Sequence, residues 1–113
     1  MRGPQRVDAA FIPLLNAKEG RIVQMSSGAA SGCVSRSSTE KIAFFCDPNV
    51  TMAKIDGFMA EVSDFERNGI GVSMGGAYGL SKALLNSYTL CLAREQPGLR
   101  VNSFSPLQGW TGI

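Results

Sequence analysis

The order of elements along the chain predicts an α/β fold built on a parallel sheet, and three observations carry that reading. A short apolar run at Ile22, Val23 and Met25 is bounded by Gly20 before and Ser26-Ser27 after, the pattern of a strand buried on both faces. The stretch Tyr78 to Glu95 (YGLSKALLNSYTLCLARE) reads as a long helix, stopped by Gln96-Pro97-Gly98. Leu99 to Ser105 (LRVNSFS) then alternates around Val101 and Phe104 as a second strand, ended by Pro106. Strand, long crossover with helix, strand is a βαβ order, which demands parallel pairing.

The remaining elements follow in order. Val7 to Leu15 reads as the end of an apolar helix, with Pro13 and Asn16 as its stop. Gly28 to Glu40 is rich in Ser and Gly and is expected to be a loop whose hydroxyls solvate backbone. Thr51 to Arg67 has helical periodicity: Ile55, Phe58, Met59 and Val62 form one apolar stripe, with Thr51 as N-cap. Gly57 within it costs about 1 kcal/mol relative to alanine. The segment NGIGVSMGGA before Tyr78 reads as a loop.

Composition narrows the function. The 113 residues suffice for one small domain, expected to bury roughly 65% of its unfolded-chain surface. The net charge of +2 is spread along the chain and is no footprint for nucleic acid. No apolar run approaches the roughly 20 residues of a membrane span, and the N-terminus is too polar for a secretory signal. Cys33, Cys46 and Cys91 are odd in number and widely spaced, which suits reduced thiols in a cytoplasmic protein. The chain has no histidine, which removes Ser-His-Asp and Cys-His catalysis and His-ligated metal sites.

Tyr78 and Lys82, four apart on one helix, share a face. An ammonium close to a phenol favours the phenolate, and a phenol tuned in this way is a usable general acid. Taken alone the spacing is common, expected by chance in roughly one chain in five of this length. Its plain structural alternative is a half-buried aromatic at a helix start beside a solvated lysine.

The surrounding order adds weight to the pair. GRIVQMSS precedes it, YGLSKALLNS contains it and NSFSP follows. In these three motifs, and over nearly the whole chain, the sequence resembles the short-chain dehydrogenase/reductase family, whose strand G-R-I-V-x-x-S-S is followed by a helix Y-x-x-S-K. The resemblance implies part of a Rossmann-type doubly wound parallel sheet, namely the C-terminal half. It implies NADP(H)-dependent reduction of a small-molecule aldehyde or ketone. Ser27 would bind the substrate carbonyl, with Ser26 the weaker candidate of the two. Tyr78 would deliver the proton. Lys82 would hold the nicotinamide ribose and favour the Tyr78 phenolate. Pro106 and Thr111 would contact the cofactor. Ser27 and Tyr78 lie 51 residues apart, a long separation that resembles the carbonyl reductases and implies a monomer for the full-length relative.

Three departures from the family pattern bear on activity. No Gly-rich turn follows a strand, so the dinucleotide-binding half is expected to be missing, and the family's catalytic asparagine would fall just before Met1. Gly69 and Gly71 have Met74 where a third glycine belongs. Finally, the family's Pro-Gly-Trp-x-x-Thr stands here as Pro106-Leu107-Gln108-Gly109-Trp110-Thr111. Either two residues are inserted before Gly109-Trp110, or the Pro-to-Thr spacing is kept and the glycine is replaced. The alternative functions are an inactive fragment or pseudoenzyme that acts through protein association, and an α/β binding module in which Tyr78 and Lys82 are incidental.

Overall fold

The computed structural model describes residues 2–67 and 76–106. Among these residues five helices and two strands follow one another as α1 (Arg2–Phe11), β1 (Arg21–Met25), α2 (Gly28–Ser35), α3 (Thr39–Phe45), α4 (Met52–Arg67), α5 (Gly76–Glu95) and β2 (Arg100–Phe104). A 3-10 turn over Ile12–Leu14, with Pro13 at its start, ends α1. Asn16 then accepts the amides of Lys18 and Glu19 through its side chain and turns the chain towards β1.

β1 and β2 pair in parallel, in a register that sets Ile22 beside Val101 and Met25 beside Phe104. Glycine is required where β1 begins. A side chain at Gly20 would stand 2.5 Å from the Asn16 carbonyl oxygen and 2.8 Å from Leu99. The Gly20 carbonyl meanwhile accepts the Arg100 amide at 3.1 Å and so helps set the register.

The helices gather on one side of this sheet. Ile22 joins Val50, Ile55, Leu85, Tyr88, Cys91 and Leu92 in one apolar cluster. Ala30, Cys33, Phe45, Phe58, Leu80, Ala83 and Leu84 form a second, between α2 to α5. There Phe44 stacks on Phe58, with ring centroids 4.6 Å apart. α2 lies directly on α5 because residue 79 is glycine. A Cβ there would come within 2.9 Å of the Ala29 carbonyl oxygen. Arg94 donates to the Pro48 and Val50 carbonyls and ties the end of α5 to the segment that opens α4.

Two expectations are corrected. Residues 28–40 are not a loop: α2 and α3 occupy most of the stretch. Serine serves as the cap in both, with Ser27 Oγ accepting the Ala29 amide and Ser38 Oγ the Lys41 amide. Composition rich in Ser and Gly concealed these helices because their stability comes from burying Ala30, Cys33 and Phe45 rather than from propensity. β1 also is not covered on both faces. Ile22 and Gln24 are buried beneath the helices, while Val23 and Met25 are 60% and 59% exposed.

The helix over 51–67 matches α4, and Thr51 caps it by accepting the Lys54 amide. α5 begins two residues before Tyr78 and takes in Gly76 and Ala77, which the sequence assigned to a loop. The rest of that loop, with Gly69, Gly71 and Met74, lies outside the described residues, as do Thr111 and the Gly109-Trp110 pair.

Candidate active site

A cavity of about 390 Å³ opens where β1 ends, lined by Met25, Ser26, Ser27, Gly28, Tyr78, Lys82 and Pro106. Three elements build it. β1 brings up the two serines, the first turn of α5 brings up Tyr78 and Lys82, and the residues following β2 bring Pro106. The parallel pairing places β1 and β2 so that both chains leave the sheet at the same end, as pairing of Met25 with Phe104 requires. The ends of parallel strands are where open α/β sheets form clefts.

Each side chain has a distinct setting. Ser26 is buried, donates its amide to the Phe104 carbonyl at 2.7 Å, and leaves its hydroxyl without a hydrogen-bond partner. Ser27 has extended backbone and holds the Ala29 amide with its Oγ at 3.2 Å. Tyr78 is 60% exposed, more open than a half-buried aromatic, and its carbonyl accepts the Ser81 hydroxyl. Lys82 reaches across to donate to the Met25 carbonyl at 2.9 Å, and its ammonium lies 5.7 Å from the centre of the Tyr78 ring.

Among the described residues no carboxylate lines the cavity, and Lys82 is the cation they supply to it. The site therefore offers hydroxyls and a positive charge to a ligand oxygen. Among the described residues no group of acids, cysteines or histidines is placed to hold a metal ion. No helix among them is long and apolar enough to cross a membrane.

The fold brings Ser27, Tyr78, Lys82 and Pro106 to one cavity; Thr111 falls outside the described residues. Sequence reasoning missed the support behind the site. Asp8 of α1 accepts Gln24 Nε2 at 2.6 Å and the Tyr88 hydroxyl at 2.8 Å, all in the interior. Burial, followed by the hydrogen bond and charge of Asp8, holds the Tyr88 phenol far above its ordinary range. This cluster clamps α1 and α5 to the middle of β1, the strand that carries the serines. An acidic residue within the apolar Val7–Leu15 stretch was the available signal. Its partners, 16 and 80 residues away, were not readable from the sequence.

Comparison with known proteins adds a family context. The chain is 34% identical over 110 residues to (+)-neomenthol dehydrogenase of Arabidopsis thaliana, covering 92% of this chain and 37% of that protein. It is 34% identical over 112 residues to Short-chain dehydrogenase/reductase 1 of Saponaria officinalis, covering 92% of this chain and 36% of that protein. The fold superposes on salutaridine reductase from Papaver somniferum with a TM-score of 0.78 at 34% identity, over 93% of this chain and 38% of that one. No family model matches the chain. Two sequences and one structure are thus similar to the chain over more than nine-tenths of its length. The chain is similar to short-chain dehydrogenases/reductases and spans little more than a third of the length of the proteins it matches.

Proposed function

We propose that this chain carries the proton-donating and substrate-orienting part of an oxidoreductase that reduces aldehyde or ketone carbonyls with NADP(H). The observation that carries the reading is one cavity that gathers Ser27, Tyr78 and Lys82 at the end of β1. Salutaridine reductase and (+)-neomenthol dehydrogenase, both similar in sequence, bear names of oxidoreductases.

The cavity's size, hydroxyls and single ammonium suit the reacting end of a nicotinamide cofactor with a small carbonyl compound. Lys82, Tyr78 and Pro106 would hold that end, and Thr111 would join them. A bound cofactor supplies the hydride. Ser27 donates a hydrogen bond to the substrate oxygen and steadies the charge that builds on it. Tyr78 gives its phenolic proton to that oxygen, so that the carbonyl becomes a hydroxyl and the tyrosine a phenolate. Lys82 places its ammonium beside the developing phenolate and, held by the Met25 carbonyl, keeps a fixed direction.

Cys33, Cys46 and Cys91 are free thiols, with Cys46 exposed, which favours a reducing, cytoplasmic setting. The packing of α3 and α4 against α5 withholds part of that helix from a second subunit, which favours a monomer for the full-length relative. The bare sheet face, with Val23, Met25 and Phe104 exposed, favours a second reading in which the chain acts by associating with another polypeptide.

The test joins this chain to the complementary portion of a relative and follows NADPH oxidation with a cyclic ketone. Tyr78→Phe is expected to abolish turnover while cofactor binding stays near normal. Lys82→Ala should damage both, and Ser27→Ala should lower the rate about 10²–10³-fold. Undiminished turnover by Tyr78→Phe would exclude the mechanism.

A further inference from the structure

We propose that the N-terminus of α2 belongs to the site: the Gly28 amide is a second donor to the substrate oxygen, and the Ala29 amide is a positioning group for Ser27. The proposal rests on the carbonyl-reductase reading for the identity of the ligand, but it makes a claim about oxyanion binding that can be tested separately.

The geometry starts from the cap. Ser27 Oγ accepts the Ala29 amide at 3.2 Å. A hydroxyl has one hydrogen to give and two lone pairs to receive with. The cap occupies a lone pair, fixes the side chain, and leaves the hydrogen available to a ligand. Ser27 thus serves as helix cap and ligand donor through different parts of one group.

The same turn supplies a further donor. Gly28 is the first residue of the eight-residue α2, and an amide at that position has no acceptor within its own helix. The Ala29 amide is taken by Ser27 Oγ and the Ala30 amide by the Ser27 carbonyl at 2.9 Å. Gly28 lines the cavity beside Ser27 and Lys82, where the positive end of the helix dipole adds to the lysine charge.

An independent observation also points to a ligand here. Ser26 is only 5% exposed, lines the same cavity, and its hydroxyl has no partner. A buried hydroxyl left unpaired is costly, and an oxygen entering the cavity would relieve it. Donors from Ser27 and Gly28, the unpaired Ser26 hydroxyl and the Lys82 ammonium, with no carboxylate among the described lining residues, make a setting selective for negative oxygen.

The chain itself can be tested with acetate as the probe, by following the amide resonances of Gly28 and Ala29 and the binding isotherm. The Gly28 amide is expected to shift saturably. Gly28→Pro removes only that N–H, and the extended backbone of Ser27 (ψ 152°) accepts a following proline. It should weaken acetate by roughly ten- to a hundredfold, as for loss of a hydrogen bond to a charged group. Gly28→Ala adds bulk but keeps the amide, and should bind within about twofold of the parent. Ser27→Ala should lose affinity and Ser27→Thr, which retains cap and donor, should restore it.

Equal affinity in Gly28→Pro and Gly28→Ala would overturn the proposal. So would binding that leaves the Gly28 resonance unmoved, a result that stands even if the proline variant does not fold. Acetate bound in this manner, without ketone reduction by the completed protein, would sink the reductase reading and leave the oxyanion site intact.

Discussion

The two faces of β1 have had opposite fates. Towards the helices, Ile22 and Gln24 are covered, and Gln24 is held by Asp8, which also takes the Tyr88 hydroxyl. On the other face Val23 and Met25 are 60% and 59% exposed, with Phe104 beside Met25 at 49%. The strand is apolar on its bare face, and its composition is that of a strand covered twice. The covered face therefore carries more of the stability of the chain than the bare face does. The contrast reaches the candidate site through Met25, which lies on the bare face at the strand end and lines the cavity.

The largest expected effect breaks the covered side. Ile55 is fully buried against the β1 side of α5, and Ile55→Ala should cost about 2–5 kcal/mol through lost burial and the cavity left behind. Val23→Ala, a comparable deletion on the bare face, should change stability by less than about 0.5 kcal/mol. Chemical denaturation of the two variants measures the difference. Equal losses would show that the bare face is packed in solution.

A smaller effect sharpens the comparison through pH. The folded state holds the Tyr88 proton more tightly than the unfolded chain, whose tyrosine ionises near pH 10. Above that pH the unfolded state releases a proton that the folded state keeps, so stability should fall as pH rises further. The buried thiols of Cys33 and Cys91, also raised by burial, act in the same direction. Tyr88→Phe should cost about 1 kcal/mol at neutral pH, by removing one donor to Asp8, and flatten the alkaline decline. Thermal melts between pH 8 and roughly 11 test this. An unchanged alkaline slope in Tyr88→Phe would assign the decline to other groups.

The smallest effect on stability is expected on the bare face, where it should instead appear in association. Val23→Lys and Met25→Lys should leave the melting temperature nearly unchanged and lower self-association, because charge on an open apolar sheet opposes pairing with another chain. Sedimentation at several concentrations reads this directly. A lysine variant that melts much earlier would mean that the face is already covered within the chain.

Periodicity and punctuation determined much of this protein without any structure. The apolar run at Ile22–Met25, the helix after Tyr78 and the strand at Val101–Phe104 stand where the residues place them. These features are local: strand alternation, helical stripes and stop signals operate over a few residues. The serine-rich stretch after Ser27 shows the limit. Its capping serines mark the starts of two helices, but a cap is silent until buried contacts make the helix worth forming, and Cys33 and Phe45 find theirs in a cluster shared with α4 and α5.

What tertiary structure alone decided is long-range. It chose which face of β1 the helices cover, joined Asp8 to Gln24 and Tyr88, and sent Lys82 across 57 residues of chain to the Met25 carbonyl. The last two are meetings of polar groups whose partners are set by the path of the backbone. Apolar spacing says that a surface will be buried, and the assembled chain determines against what.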